Sequence, residues 1–354
     1  MGKRGRFEIG STQCLEFSIP PAGRSQAELN FFVEELAQKK IPEHPKIVFM
    51  GTPEFAVPAL RALLENGHDV LAAVTQPDRP RGRGKKIAQS PVKQAAMACG
   101  LEVLQPENAS ARQFCEIIRD KAPDLLVVVA FGQILKKEML GIPSWGALNI
   151  HASLLPQYRG AAPIQWAILN NEARTGLTAM RMDEGLDSGP ILLQQEMPIL
   201  PDETAGQLHD RLSALAGDFL IRTLEDLAEN RLRERPQDQN ASTYAPKIDR
   251  GMSQIKWDKP AETVSALIRA FDPWPGAFTR LLGKDIKVFS SRVVDEKRIG
   301  LPGRVKGHEE GGLEVETGKG IVQIRELQIP GRKRIPVKDF LRGFPLDKGT
   351  LLGS

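Results

Sequence analysis

The chain has 354 residues, 41% of them hydrophobic, with 48 Lys and Arg against 44 Asp and Glu and a formal net charge of +4, enough for two domains with separate cores. Its longest apolar run, residues 125–131, is too short to span a bilayer and argues against a membrane partner. Three cysteines (Cys14, Cys99, Cys115) are odd in number and follow neither a disulfide nor a metal-site spacing, which points to the reducing cytoplasm and to no metal.

Residues 1–44 fit poorly with the rest of the chain. Residues 25–40 pattern as a short amphipathic helix with Leu29, Phe32, Val33 and Leu36 on one face. The segment lacks the apolar run of a signal peptide, and its glutamates do not suit a transit peptide. It is set apart as an extension of unknown role.

From residue 46 the elements alternate. Residues 46–50 read as a buried strand. Thr52 is a candidate helix N-cap with Pro53 at the first helical position, and residues 55–66 form a helix stopped by Gly67. Residues 70–75 are a second strand. This βαβ opening lacks Gly-x-Gly-x-x-Gly, so its backbone has no close approach to a pyrophosphate and NAD is excluded. The stretch 78–86 reads as a loop by its Gly and Pro content; five cations between Arg79 and Lys86 suit contact with several phosphates. A helix at 90–98, a short strand at 102–104, a helix at 111–120 and a doubly buried strand at 124–130 come next. Alternating strands and helices predict an α/β fold, a Rossmann-like, doubly wound, mostly parallel sheet.

Residues 147–152 form the next strand. Asn149 and His151 stand two apart, so their side chains share one face. Pro156 blocks a simple continuation, and an open parallel sheet takes ligands outside such a carboxyl end. A helix at 164–169, a strand at 175–182, the loop 183–189 and a long helix at 208–228 complete this part. Residues 237–243 are polar and unpatterned, a linker. Beyond it come a helix at 263–270, a rigid turn at 271–276, and short strands at 285–294, 304–306, 313–317 and 320–327, which suggest a small barrel. Residues 244–354 hold 21 Lys and Arg against 14 Asp and Glu, a balance that suits a polyanionic partner. The basic run 331–334 adds to it. The chain therefore divides into 1–44, a catalytic domain at 45–236, a linker at 237–249 and a C-terminal domain at 250–354.

The string Asn149-x-His151-x-Ser153-Leu154-Leu155-Pro156, then Tyr158-Arg159-Gly160, then Asp187 within Asp183-Glu184-Gly185-Leu186-Asp187-Ser188-Gly189, resembles the formyltetrahydrofolate-dependent formyltransferase family. Within that family the chain from residue 46 onward is similar to members acting on methionyl-tRNA. The resemblance implies 10-formyltetrahydrofolate as co-substrate, the free amine of initiator methionyl-tRNA as acceptor, an OB-like barrel at the C-terminus, a monomer, and a catalytic set of Asn149, His151 and Asp187. Ser153, Leu154, Leu155 and Pro156 then form the folate-binding turn. Arg81, Arg83, Lys85 and Lys86 belong to a basic insertion that meets the acceptor arm. The chemistry agrees with this set. Formyl transfer to an amine passes through a tetrahedral intermediate and needs a donor to the oxyanion, an acid–base group and a group that sets its charge; an amide, an imidazole and a carboxylate supply these. A sugar-nucleotide amine formyltransferase and a 10-formyltetrahydrofolate hydrolase are alternatives with the same donor. A non-catalytic RNA-binding protein is an alternative that would not need the three residues.

Overall fold

The computed structural model describes residues 4–8, 14–18, 41–81, 86–309 and 311–353. The expected helix at 25–40 lies outside them. The chain divides into two compact units, Met1–Lys40 and Ile41–Ser354. In the first, strands β1 (Arg4–Glu8) and β2 (Cys14–Ser18) pair antiparallel. Among the described residues no helix is long and apolar enough to cross a membrane.

The second unit opens with a seven-stranded sheet. Its strands are β3 (Ile47–Gly51), β4 (Val70–Val74), β7 (Val103–Leu104), β8 (Leu125–Val129), β9 (Ala147–His151), β10 (Arg174–Arg181) and β11 (Ile191–Pro198), in the spatial order β11-β10-β9-β8-β3-β4-β7. From β9 to β7 the pairing is parallel; β10 and β11 run antiparallel. Every residue of β3, β8 and β9 is buried, as expected of central strands covered by helices on both faces.

On one face, helix α1 (Val57–Glu65) buries Val57, Ala59, Leu60 and Leu63 and packs on the long helix α6 (Ala205–Ala228). Gly217 lets the two approach: a Cβ there would lie 3.1 Å from the Pro58 carbonyl and from Ala62 Cβ. Helix α3 (Arg112–Asp120) covers the other face with Phe114, Cys115 and Ile118. Between these elements lie α2 (Pro91–Ala98), capped by Ser90, and the short helices α4 (Lys137–Leu140) and α5 (Pro163–Leu169).

Two expectations change. Thr52 does not cap a helix: Pro53 takes that place ahead of a 3-10 turn at Glu54–Ala56. The Thr52 hydroxyl instead donates to the Phe131 carbonyl at 2.8 Å and accepts from the Gln76 amide at 3.3 Å, tying together the loops at the strand ends. The described ends of the basic stretch are strands, not loop: β5 (Arg79–Arg81) pairs antiparallel with β6 (Lys86–Ala88). The base of this pair is anchored by Asp78, which accepts from Lys93 at 2.6 Å and Gln105 at 2.8 Å.

The C-terminal part is an antiparallel sheet of β12 (Ala277–Leu281), β13 (Lys284–Asp295), β14 (Val305–Glu309), β15 (Gly312–Glu316), β16 (Ile321–Gln328) and β17 (Ile335–Pro336), with helices α7 (Ala261–Ala270) and α8 (Val337–Gly343). Val288, Leu313, Val315, Val322, Ile324 and Leu327 line its core against Val264 and Ile268 of α7 and Phe340 of α8. The C-terminal tail laces the two outer strands together. Val305 of β14 donates to Thr350, and Gly353 donates to Arg280 of β12, both at 2.8 Å. The tail thereby covers part of both edge strands.

Candidate active site

Strand β9 places Asn149 and His151 on one face, both 7% exposed. Neighbouring β10 aligns Met180 with Asn149 and Thr178 with His151. The loop after β10 folds back over this face and brings Asp187 to both side chains. Asn149 Nδ2 lies 3.4 Å from Asp187 Oδ1, and His151 Nδ1 lies 3.7 Å from Asp187 Oδ2. The Gly160 amide donates to Asp187 Oδ2 at 2.8 Å. The loop is tight: a Cβ on Gly189 would stand 1.9 Å from the Arg181 carbonyl oxygen.

The second nitrogen of His151, Nε2, is 2.9 Å from the Tyr158 carbonyl. A carbonyl oxygen only accepts, so Nε2 carries hydrogen and Nδ1 is the nitrogen turned to Asp187. When the ring is protonated, that contact is an ion pair. The Asn149 side chain makes no other hydrogen bond among the described residues, so its amide has a second hydrogen to offer a ligand's acceptor oxygen.

Ser153 and Leu155 are buried, and their polar groups are used within the turn. Ser153 Oγ donates to the Gln157 carbonyl at 2.6 Å. The Thr178 hydroxyl donates to the Ser153 carbonyl at 2.6 Å and accepts from the Leu155 amide at 3.1 Å. The Leu155–Pro156 peptide is cis. Leu154 and Pro156 are part-exposed on this turn. Of the four basic residues, Arg81 and Lys86 face each other in register in the β5–β6 pair; Arg83 and Lys85 lie outside the described residues. In the run 331–334, Arg334 is spent internally. It donates to both Asp272 oxygens, at 2.6 and 2.9 Å, and also bonds Glu326 and Ser290.

Sequence reasoning missed the residues that hold this set in place. Tyr158 and Gly160 carry no signal beyond their place in a motif. Gln237 and Thr243 fall in the polar stretch expected to be a linker, which runs across the first domain: Thr243 accepts from the Tyr158 amide at 2.8 Å, and the backbones of Arg159 and Ala245 pair. No local pattern marks such residues, because their partners lie 50–85 positions away.

The chain matches two family models, formyl transferase over residues 45–224 and formyl transferase, C-terminal domain, over residues 247–345. The chain belongs to the formyl transferase family. It is 47% identical over 309 residues to the methionyl-tRNA formyltransferase of Alkaliphilus metalliredigens, spanning 87% of this chain and 98% of that one. It is 49% identical over 308 residues to that of Pelobacter propionicus, with 87% and 96% covered. Among solved structures, the fold is shared with WlaRD, a sugar 3N-formyl transferase (TM-score 0.60, 22% identity, 82% of this chain and 99% of that one). It is also shared with HypX from Aquifex aeolicus in complex with tetrahydrofolic acid (TM-score 0.59, 18% identity, 88% of this chain and 51% of that one). The parallel sheet followed by a smaller antiparallel domain is thus the arrangement of a formyl transferase.

Proposed function

We propose that this enzyme transfers the formyl group of 10-formyltetrahydrofolate to the free amine of initiator methionyl-tRNA, in the cytoplasm, as a monomer. The observation that carries the chemistry is His151 fixed between a carbonyl acceptor and Asp187, with the Asn149 amide alongside. The acceptor reading is supported by the relatives of nearly full length that carry that activity in their names.

When bound, 10-formyltetrahydrofolate supplies an electrophilic formyl carbon. Asn149 Nδ2 donates to the formyl oxygen as negative charge grows on it, and protonated His151 adds a second charge-assisted donor. The amine attacks the formyl carbon. As the bond from that carbon to the departing nitrogen breaks, the proton on His151 Nδ1 goes to that nitrogen. The proton given up by the amine restores it, while Nε2–H stays on the Tyr158 carbonyl. Asp187 holds the imidazolium, and the Gly160 amide keeps that carboxylate in place. The buried turn 153–156 shapes the wall on which the folate rests, with Leu154 and Pro156 as its contacts. Arg81 and Lys86 of the paired strands β5 and β6, with Arg83 and Lys85 of the same basic stretch of sequence, neutralise phosphates of the acceptor arm.

The test is formyl transfer to charged initiator tRNA beside an amino-sugar nucleotide, at low and high salt. Transfer to the tRNA that weakens steeply with salt is expected; transfer to the sugar alone overturns the acceptor. In the same assay His151→Ala lowers kcat by about 10²–10⁴-fold while folate binding persists. Full turnover in that variant would remove His151 from the mechanism.

A further inference from the structure

Two buried side chains touch this site without entering the chemistry above. Arg159 is 3% exposed and has no carboxylate partner among the described residues. Its Nε and Nη2 donate to Gln237 Oε1 at 3.0 and 2.7 Å, and its Nη1 donates to Gln239 Oε1 at 2.9 Å. A guanidinium offers only donors, so it decides which end of the Gln237 amide faces it. The reversed amide would set N–H against N–H. With its oxygen held, Gln237 turns Nε2 the other way. There it donates to the backbone carbonyls of Asp187 at 2.9 Å and Gly189 at 2.7 Å.

The ring closes through the chain itself. Gly160, next to Arg159, donates its amide to the Asp187 carboxylate. Asp187 is therefore gripped at its side chain by one end of the ring and at its carbonyl by the other. Its φ of +50° is a left-handed conformation that an aspartate adopts at modest cost, and the two contacts hold it there. Gln237 also lies between the two spans matched by the family models, 45–224 and 247–345.

We propose that Gln237, oriented by Arg159, is a positioning residue for Asp187, so that the segment joining the two domains is part of the catalytic apparatus. This rests on reading Asp187 as the partner of His151. Substrate never meets Gln237; it acts by holding the carboxylate where the imidazole needs it.

Gln237→Glu is the discriminating variant. It keeps the size of the side chain and gives Arg159 the carboxylate it lacks, so the fold survives. It also sets an oxygen against two carbonyl oxygens and releases the loop. The expected result is a kcat lower by about 10- to 100-fold with both KM values within about threefold, and a urea midpoint at or above that of the wild type. Amide exchange at Gly160 and across 183–189 quickens. In an Asp187→Asn background the same substitution costs less than about twofold more, because the two act as one unit. Arg159→Lys, a point charge in place of a fork, gives the same kcat-selective loss should Gln237→Glu fold poorly. Unchanged kcat in both variants, or losses that simply multiply with that of Asp187→Asn, overturns the proposal. A wild-type enzyme that forms no formylated amine overturns the formyl-transfer reading instead, and amide exchange at Gly160 and the loop then decides the clamp.

Discussion

Tyr158 takes a left-handed backbone conformation, φ +61°, which aims its carbonyl at His151 while its phenol reaches back to Glu172 at 2.5 Å and accepts from Asn170 at 3.0 Å. Burial, with the Glu172 carboxylate beside it, pushes the phenol up to about 12 from its ordinary 10. The unfolded chain releases this proton near pH 10 and the folded chain only near 12, so the linked stability is present below pH 10 and lost as pH rises to 12. Tyr158→Phe should cost about 1 kcal/mol at neutral pH. Urea midpoints of the two proteins should converge across that alkaline window; a constant gap would break the linkage. At this scale the pair Asn149 and His151 was legible, because a strand alternates faces strictly. Asp187 was named only through the family resemblance, since its role depends on a loop folding back over another strand, and no spacing in the sequence encodes that.

Most elements followed from local chemistry. Helix α6 carries an apolar stripe of Leu208, Leu212, Phe219, Leu220 and Leu224, and the stripe foretold the helix. The stripe places its start at 208, three residues late, because the signal there is a capping box. Thr204 accepts from the Gln207 amide at 3.3 Å, and Gln207 accepts in return from the Thr204 amide at 2.9 Å. Thr204→Ala should lower stability by about 1 kcal/mol, read as a shift in urea midpoint with kcat unaltered. Strands β11 and β12 escape sequence reasoning for a different reason. β11 alternates poorly, with only Ile191 and Leu192 buried, and β12 is short and comes after a proline-rich turn. What makes each a strand is the partner beside it, β10 for one and β13 for the other.

For the whole molecule, the joint between the domains centres on Asp272. Its carboxylate, 4% exposed, receives the Arg334 fork from beyond β16, while its carbonyl accepts from Gly206 at the start of α6 at 3.0 Å. The Arg334 guanidinium also lies 4.3 Å from the centre of the Phe289 ring. Arg334→Met strands a buried carboxylate and should cost about 2–3 kcal/mol, less than an enclosed pair because the guanidinium is 31% exposed. Adding Asp272→Asn should return part of the loss; an Arg334→Met protein as stable as the wild type would refute the role. The sequence by itself determined the α/β order, the buried central strands, the shared face of Asn149 and His151, and the family resemblance. All of these depend on periodicity or on short contiguous strings. The tertiary structure alone decided that the basic run 331–334 gives Arg334 to an internal pair, that residues 79–81 pair with 86–88 on an Asp78 anchor, and that Arg159 and Gln237 close a ring around Asp187. Those outcomes depend on which distant donors and acceptors meet when polar groups are buried together, and such meetings leave no local trace in the chain.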